Sequence, residues 1–354
     1  MDAGIYFGLP EAEYHADPAL SSSGIRNLLV SPLDYWMNST MNPEYVDEKT
    51  DAMVIGTALH RRILEPARFR AMYAAVPTKD EYPDALDGAE ALRARCAELG
   101  LKRSGTISDM CERILEVDPR AELWPVIRAE MMEKAQGRIM LRPSVAADIE
   151  RAAWIVLKHQ SAAKAMSGGH AEVSIFWTDP ETGIAMKARL DYLKVKAVVD
   201  LKSFSNPLGK PLKSAVAAAV ANGGYHIQAV VYSHAVEAAK QMLRKHKSKC
   251  VRVLDDSDVS AEWLVNFAAC ERHAFAFVFI ETGPVTNVVV REFRRVENFG
   301  GTENLYWSAG EAGMRQALSI YQRYMTEIGP NEPWIADAPM TPFIDVDFPL
   351  WMMS

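Results

Sequence analysis

Residues 190–203, L-D-Y-L-K-V-K-A-V-V-D-L-K-S, place charged side chains within segments that otherwise have the apolar pattern of buried strands. Side chains alternate between the two faces of a strand, so Asp200 and Lys202 should share one face while Leu201 points into the core. Asp191 lies near the end of the preceding predicted strand, and we expect it beside Asp200. Neighbouring carboxylates repel each other, and neither is cheap to bury without a partner.

A divalent cation would relieve this repulsion by taking both carboxylates as ligands. Lys202 could then orient a water molecule or stabilise charge that develops on a phosphate. Oxygen ligands without soft sulfur donors favour Mg²⁺, with Mn²⁺ able to substitute for it. An isolated D-x-K pattern is more often a structural ion pair at a strand end, so the interpretation depends on the surrounding sequence.

The surrounding pattern predicts an α/β (α+β) fold in which helices flank a central mixed sheet. The predicted elements are a turn-rich lead, a serine-capped helix that ends at Ser31-Pro32, helices 51–64 and 144–166, strands 171–178, 184–193 and 197–202, a helix from about 222 to 244, a strand 273–280 and closing helices. The order around the charged strands is therefore helix, three strands, helix, strand.

The composition is that of a globular protein with a sizeable core, since 49% of the 354 residues are hydrophobic and 24% are charged. Four cysteines lie far apart without a C-x-x-C pair, which argues against a thiolate metal site and fits a reducing cytoplasm. No apolar run approaches the ~20 residues of a membrane span, so no membrane association is expected. The net charge of −7 argues against a protein that coats nucleic acid by bulk charge.

Positive charge is nevertheless clustered. Seven Lys or Arg residues and only two acids lie between Lys187 and Lys213, and six more basic residues lie between Lys240 and Arg252 without any acid. Either run alone is more commonly a solvated surface. Two runs around the same strand-rich region suggest that a polyanion comes close to it.

Several motifs follow one another along the chain: S-S-S-G-I-R-N-L-L-V-S-P-L-D-Y-W (21–36), G-T-A-L-H (56–60), E-V-S-I-F-W-T-D-P-E-T-G-I-A-M-K-A-R-L-D-Y-L (172–193), V-V-D-L-K-S (198–203), G-Y-H-I-Q-A-V-V-Y (224–232) and F-V-F-I-E (277–281). In this order they resemble the PD-(D/E)XK nuclease superfamily, whose restriction-endonuclease-like core has the same element order. Within it they are similar to the RecE-like branch, the exodeoxyribonuclease VIII type of phage and prophage. The chain has R-L-D where the family has P-D, so Leu190 replaces a proline that contributes geometry and no chemistry.

The resemblance implies a role for each matching residue. Asp191 and Asp200 would be metal ligands, with the Leu201 carbonyl as a third, and Lys202 would be the catalytic lysine. His60 would complete the metal shell, although a structural helix histidine is a common alternative.

Three further residues belong to the same implied site. Gln228 and Tyr232, four residues apart on one helix face, would lie by the active site and contact DNA or brace the lysine. Glu172 is an additional acidic candidate for the metal, for which an exposed acid at a strand end is an equally good account. The basic residues that we expect to contact DNA are Lys187, Arg189, Lys210 and Lys213 around the site, and Lys102 and Arg103 elsewhere.

A separate unit is expected at residues 85–118, where two short amphipathic helices flank L-G-L-K-R-S-G-T (99–106). Thr106 and Asp109 form a capping-box pattern at the second helix. The spacing resembles a SAP motif, a helix–loop–helix that usually contacts DNA. In that resemblance Leu92, Leu99 and Ile114 would be core residues, and Lys102 and Arg103 would face phosphate. The alternative is a helical hairpin that binds no ligand.

The resemblance implies a magnesium-dependent exonuclease in the cytoplasm of a bacterial host. It would degrade one strand of linear double-stranded DNA from the 5′ end, pass the exposed strand to a single-strand annealing protein for recombination, and form a homo-oligomeric ring. The alternatives are a non-catalytic DNA-binding protein that keeps the fold and the SAP-like arm, and an endonuclease of the same superfamily. The expected domains are an N-terminal helical part of the nuclease domain (1–75), the SAP-like insertion (85–118), the nuclease core (140–325) and a C-terminal tail (326–354) that could dock on a neighbouring subunit or partner.

Overall fold

The computed structural model describes residues 1–46, 50–283, 285–296 and 304–336. Its elements are, in chain order, β1 (Gly4–Phe7), α1 (Glu11–Ala16), α2 (Ser22–Val30), α3 (Pro32–Met37), α4 (Asp51–Leu64), α5 (Pro66–Met72), β2 (Tyr73–Ala75), α6 (Gly88–Glu98), α7 (Ile107–Val117), α8 (Trp124–Lys134), β3 (Ile139–Leu141), α9 (Pro143–Lys158), α10 (Gln160–Ala165), β4 (Gly169–Thr178), β5 (Ala185–Lys194), β6 (Ala197–Ser205), α11 (Leu212–Gly223), α12 (Tyr225–His246), β7 (Val251–Val253), α13 (Ala261–Ala269), β8 (Ala274–Thr282), β9 (Val288–Phe293) and α14 (Leu305–Glu327).

Seven of these strands form one mixed sheet in the order β7-β1-β4-β5-β6-β8-β9. The strands β4, β5 and β6 are antiparallel neighbours, whereas β6 and β8 run parallel and β8 and β9 run antiparallel. The helix α12 lies in the connection between the parallel pair, as a parallel crossover requires. The predicted order of helix, three strands, helix, strand is therefore present as α9, β4 to β6, α12 and β8, and the predicted α/β fold class is confirmed.

Helices cover both faces of this sheet. On one face α2, α12 and α14 pack on a cluster that includes Val198, and on the other face α4 and α9 pack on a cluster that includes Val199 and Leu201. Because successive side chains of β6 alternate between these clusters, Asp200 and Lys202 share one face, as the pattern predicted. That face is turned toward α12. Among the helices in the described ranges, none combines the length and the apolar character needed to cross a membrane.

Three local expectations differ from the structure. The predicted turn-rich lead contains β1, which forms because it pairs with both β4 and β7. The predicted helix 144–166 is interrupted at His159, whose extended backbone ends α9 and whose ring Nδ1 accepts a hydrogen bond from Ala162 N. The predicted helix from 222 begins instead at Tyr225, because Gly224 adopts a left-handed φ of 59° and separates it from α11.

The helical insertion begins and ends at a small two-stranded sheet that is separate from the seven-stranded one. The strands β2 and β3 pair in parallel, with Tyr73 opposite Ile139, so the intervening residues leave the core and return to it side by side. Within them α6 and α7 form as predicted, and both hydrogen bonds of the Thr106–Asp109 capping box are present. The small core of this unit includes Leu92 and Ile114 and extends beyond residue 118 to residues of α8 and the segment before it.

The last described residues fold back on the helices. Trp334 is fully buried and packs against Tyr35, Tyr321 and Tyr324. Its indole N–H donates to the Gly329 carbonyl at 2.8 Å. The tail segment that could dock on a partner, from about Thr341, lies outside the described residues.

Two glycines of α14 provide a test of how closely this helix packs against α12. A Cβ on Gly310 would lie 2.8 Å from the backbone carbonyl oxygen of His226 and 2.8 Å from Val230, whereas a Cβ on Gly313 would make ordinary contacts at 3.4 Å or more. Both substitutions by alanine gain helix propensity of about 1 kcal/mol. We expect Gly310→Ala to lose about 1–3 kcal/mol through overpacking, because the backbone of α12 must shift.

Thermal unfolding of the two single variants beside the unchanged protein measures this difference. Gly313→Ala is the matched control and should unfold at or above the temperature of the unchanged protein. Equal unfolding temperatures for the two variants would mean that the interface between α12 and α14 is looser than the structure indicates.

Candidate active site

The two strands that carry the candidate carboxylates separate at the site. The strands β5 and β6 pair at Tyr192–Val199 and Leu193–Val198, and the next position of this register places Asp191 opposite Asp200. The regular pairing ends there. In its place the Leu201 backbone N–H donates to Asp191 Oδ2 at 2.7 Å, so the side chain of Asp191 takes over a main-chain contact. The predicted juxtaposition of the two aspartates is therefore present.

Asp200 has no exposed surface, and its carboxylate is held from two directions. Gln228 Nε2 of α12 donates to Oδ1 at 3.1 Å, and Lys202 Nζ forms an ion pair with Oδ2 at 2.5 Å. The ion pair lacks the alignment of a hydrogen bond, and Oδ2 has no other donor. A buried carboxylate oxygen without an aligned donor is rare in folded proteins and commonly marks a site for an ion or a water molecule, or a catalytic role.

Burial sets the electrostatics of this group. It raises the pKa of Asp200 to about 6; the charge of Lys202 opposes this rise, and the charge of Asp191 adds to it. Burial also raises the pKa of Asp191, against the opposing charge of Lys202. The pKa of Lys202 ends above its ordinary value, because the attraction of Asp200 and Asp191 outweighs the cost of burial. Two carboxylates therefore share one ammonium in a region of low dielectric.

His60 approaches the same carboxylates from α4. Its Nδ1 lies 3.6 Å from Asp191 Oδ2, which is too long for a hydrogen bond. Burial, with the repulsion of Lys202, lowers the pKa of His60 to about 4. The ring is therefore neutral near pH 7, which is the form that can bind a metal ion.

Glu172 of β4 lies opposite Asp191 of the neighbouring strand β5, since the flanking positions Ala171–Tyr192 and Val173–Leu190 are paired. Its backbone has a φ of 54°, a left-handed conformation that is rare for a residue other than glycine and clusters at functional sites. The side chain is only 19% exposed and pairs with Arg189 at 2.5 Å. The alternative of an exposed strand-end acid is therefore wrong. Burial raises the pKa of Glu172 to about 7 despite the Arg189 charge.

The helix α12 turns Gln228 and Tyr232 toward Asp200 rather than toward solvent. Gln228 is buried and contacts the carboxylate directly. Tyr232 is buried one turn further on, where its hydroxyl interacts with Gln228, and burial raises its pKa well above the ordinary value. The pair therefore braces the aspartate. A direct contact of either side chain with DNA is not favoured by this burial.

The structure corrects the expectation that Lys187 and Arg189 contact DNA. The ammonium of Lys187 is buried and donates to the Tyr14 and Asp17 carbonyls at 2.8 and 2.6 Å, where it holds the N-terminal segment. The Arg189 guanidinium pairs with Glu172 and donates to the Leu9 carbonyl at 2.8 Å. Charged strand residues looked accessible because the sequence pattern does not show which segments cover them.

The other four basic residues that were predicted to contact DNA are exposed. Lys210 and Lys213 lie just beyond the end of β6, and Lys102 and Arg103 lie in the loop between α6 and α7. The structure thus brings the metal-ligand candidates together and leaves these four cations exposed on the surface.

A cleft of about 390 Å³ that the sequence did not reveal lies at the carboxyl ends of β6 and β8. Ser203, the residue after Lys202, lines it together with Gly56 of α4, Asp148 of α9 and Thr282 of β8. Ligands commonly bind outside the carboxyl ends of parallel strands. Only the joint arrangement of α4, α9 and the sheet forms this space, so no local motif could have predicted it.

The donor set suits a hard divalent cation. Carboxylate oxygens of Asp191 and Asp200, the Leu201 carbonyl and the neutral His60 ring are ligands that such ions accept, and Asp200 Oδ2 lacks an aligned donor. Within the described part of the chain, no three His, Cys, Asp or Glu side chains are already grouped as a metal cage. The residues therefore fit an ion held mainly by two carboxylates.

Fold and site together define a nuclease-like α/β domain with its charged residues at the junction of β5 and β6. In agreement, the family described as "PDDEXK-like domain of unknown function" (DUF3799) matches residues 21–250, well over half of the chain, and the chain belongs to this family. A crystal structure from Eubacterium rectale, of a protein described as a candidate exonuclease, is similar with a TM-score of 0.48 and 14% sequence identity, over 96% of this chain and 98% of that one. No curated protein sequence matches.

The ion pair between Glu172 and Arg189 can be tested through the pH dependence of stability. We expect Arg189→Met to lower the free energy of unfolding by about 3–5 kcal/mol at pH 8, because it leaves a buried carboxylate unpaired. An acid whose pKa is raised in the folded state binds its proton more tightly there, so its contribution to stability falls as pH rises from about 4.5 through 7. The loss in Arg189→Met should therefore be smaller at pH 5 than at pH 8.

Denaturant titrations of the variants at both pH values measure this effect. The double variant Arg189→Met/Glu172→Gln is the control and should recover much of the stability at pH 8. If Arg189→Met loses the same free energy at pH 5 and pH 8, the charge of Glu172 is not the cause.

Proposed function

We propose that this protein is a metal-dependent deoxyribonuclease, and specifically an exonuclease that degrades one strand of linear double-stranded DNA from the 5′ end. The observation that carries the proposal is the meeting of Asp191, Asp200 and Lys202 at the junction of β5 and β6, with a buried carboxylate oxygen that has no aligned donor. Membership of the PDDEXK-like family supports nuclease chemistry at these residues.

In this proposal Asp191, Asp200, the Leu201 carbonyl and His60 would hold a divalent cation. Mg²⁺ or Mn²⁺ bound there would supply Lewis-acid stabilisation of charge on the phosphate and would lower the pKa of water. Lys202 positions the attacking water, and its ammonium stabilises negative charge as the bond to the leaving oxygen breaks.

The residues around this centre serve it by position. Gln228 fixes the rotation of the Asp200 carboxylate through its hydrogen bond, and Tyr232 supports Gln228 from the next turn of α12. Arg189 neutralises Glu172, which otherwise would add a third negative charge beside Asp191. With Glu172 paired to Arg189, the two aspartates and the Lys202 ammonium leave a net negative charge at the site for the cation.

DNA is the polyanion that the surface favours. From residue 201 to residue 236 the chain contains no acid, and Lys210 and Lys213 are exposed directly after β6. Phosphate contacts of this kind bring the backbone to a site without selecting its sequence. The exposed Lys102 and Arg103 of the SAP-like unit would contact the same duplex at a point more distant from the site.

Resemblance to RecE-like nucleases supports the remaining parts of the proposal. These are action at DNA ends with 5′ to 3′ polarity, delivery of the exposed strand to a single-strand annealing protein, a homo-oligomeric ring and a role in phage or prophage recombination in the bacterial cytoplasm. An endonuclease or a non-catalytic DNA-binding protein would use the same fold differently, and the experiment below separates the three.

The purified protein should digest a linear duplex in the presence of Mg²⁺ and leave a supercoiled circle intact. Two linear substrates are compared, one labelled at its 5′ ends and one at its 3′ ends. We expect the 5′ label to be released first, because attack begins at the 5′ end. Asp200→Asn and Lys202→Ala should each lower cleavage at least a hundredfold, because the first weakens a proposed ligand of the cation and the second removes the ammonium that stabilises negative charge in the transition state.

Gel analysis of both substrates, with and without chelator, makes the measurement. Binding of the linear duplex by the two variants is the control, since a folded variant should still bind DNA. Nicked circles would identify an endonuclease, and duplex binding without any cleavage under Mg²⁺ or Mn²⁺ would identify a non-catalytic DNA-binding protein.

The proposed phosphate contacts of Lys210 and Lys213 predict a change in salt dependence. We expect the double variant Lys210→Ala/Lys213→Ala to bind duplex more weakly, with the slope of log K against log salt reduced by about 2, since each phosphate contact contributes about 0.9. Filter binding over a range of salt concentrations measures the slope.

Lys158→Ala is the matched control for this experiment. Lys158 is exposed at the end of α9, about 15 Å along that helix from Asp148 at the cleft. Its removal should leave the slope unchanged. An unchanged slope in the double variant would mean that DNA approaches the site along another surface.

A further inference from the structure

The ammonium of Lys202 has an aromatic neighbour in addition to its ion pair. Nζ lies 2.5 Å from Asp200 Oδ2 and 3.4 Å from the Leu201 carbonyl oxygen, and it stands 5.1 Å from the centre of the Tyr225 ring. A cation within about 6 Å of a ring centre is attracted by the negative face of the ring, most strongly where water is excluded. The Lys202 side chain is only 14% exposed, so this attraction is little screened.

The sequence G-G-Y at residues 223–225 is built to place this ring. A Cβ on Gly223 would lie 2.4 Å from the Tyr225 ring, so only glycine leaves room for it. Gly224 takes the left-handed conformation that ends α11 and starts α12. Arg26 of α2 donates to the Gly223 carbonyl at 2.5 Å and fixes the turn from outside.

The ring also packs against the sheet. Phe277 and Phe279 of β8 lie 6.1 and 6.3 Å from Tyr225 between ring centres, with tilted planes. Both phenylalanines are buried, whereas Tyr225 itself is partly exposed. The ring thus contacts both an apolar patch of the sheet and the lysine, and these contacts do not involve the tyrosine hydroxyl.

We propose that Tyr225 is a positioning residue that holds the Lys202 ammonium at the reacting centre through its ring face. This inference rests on the proposed nuclease function of Lys202. A ring face attracts the charge without requiring a directed acceptor, so it fixes where the ammonium lies while its N–H groups stay free for water or phosphate. Asp200 holds the same ammonium at 2.5 Å, so the ring provides a second contact that fixes its position.

The first experiment compares Tyr225→Phe with Tyr225→Leu in Mg²⁺-dependent digestion of linear duplex. The Phe variant keeps the ring and should retain kcat within about twofold. The Leu variant should lose about tenfold in kcat with KM for DNA unchanged, as expected for a lost cation–π contact in a desolvated site. In a Lys202→Ala background the same Leu substitution should cause no further loss of residual cleavage.

Tyr321→Leu is the matched control. Tyr321 packs among aromatic rings at Tyr35 and Trp334, away from the charged residues of the site. Its loss should lower the unfolding temperature without changing kcat. A role of Tyr225 in packing alone would produce the same behaviour in Tyr225→Leu and would overturn the inference.

A second readout does not require turnover. A ring this close should shift the Lys202 Hε resonance upfield by its ring current in the metal-free protein, with the signal assigned by its absence in Lys202→Ala. The upfield shift should persist in Tyr225→Phe and vanish in Tyr225→Leu.

The outcomes separate this inference from the proposed function. If the protein without substitutions shows the ring-current shift but does not cleave DNA, the nuclease proposal is wrong, whereas the placement of Lys202 by Tyr225 is supported. Absence of that shift, equal loss of kcat in the Phe and Leu variants, or a rise in KM with kcat unchanged would each overturn the inference. The last result would mean that the ring contacts DNA.

Discussion

The arrangement of this molecule depends on the burial of two carboxylates beside a single ammonium. Asp191 and Asp200 meet where β5 and β6 stop pairing, and Lys202 is the cation in contact with Asp200. Such a group is unfavourable in a low-dielectric interior unless its charges are compensated and its hydrogen bonds are made. Burial raises the pKa of both acids, which expresses the cost of keeping them ionised. A fold that retains this arrangement gives up stability at the site, and such concessions are typical of functional centres.

Much of the surrounding structure offsets this cost. The Leu201 N–H of β6 donates to Asp191, and Gln228 of α12 donates to Asp200. Arg189 forms an ion pair with the neighbouring Glu172. The left-handed backbone of Glu172 at the same level of the sheet indicates that local strain is accepted there as well. The hydrophobic clusters on both faces of the sheet must therefore supply the stability that the charged centre does not.

The sequence predicted this centre because strands encode the direction of each side chain. Alternation placed Asp200 and Lys202 on one face and Leu201 in the core, and the spacing to Asp191 fitted an antiparallel neighbour. Contacts between distant segments were beyond such local rules. The burial of Lys187 and Arg189 depends on the N-terminal segment that covers them, and β1 itself forms only because β4 and β7 are available to pair. The break at Gly224 could have been predicted from G-G, since glycine readily ends a helix.

The helix α12 shows how one element can set several distances at once. Tyr225, Gln228 and Tyr232 recur at spacings of three and four, so they lie on one helix face and all turn toward β6. The left-handed Gly224 sets where α12 begins, and the close approach of α14 at Gly310 constrains the position of α12 from the side. A shift of this one helix would therefore move the Tyr225 ring away from Lys202 and the Gln228 amide away from Asp200 at the same time. The charged centre is therefore positioned in part by the packing of α12 against its neighbours, in which glycines allow the close approaches.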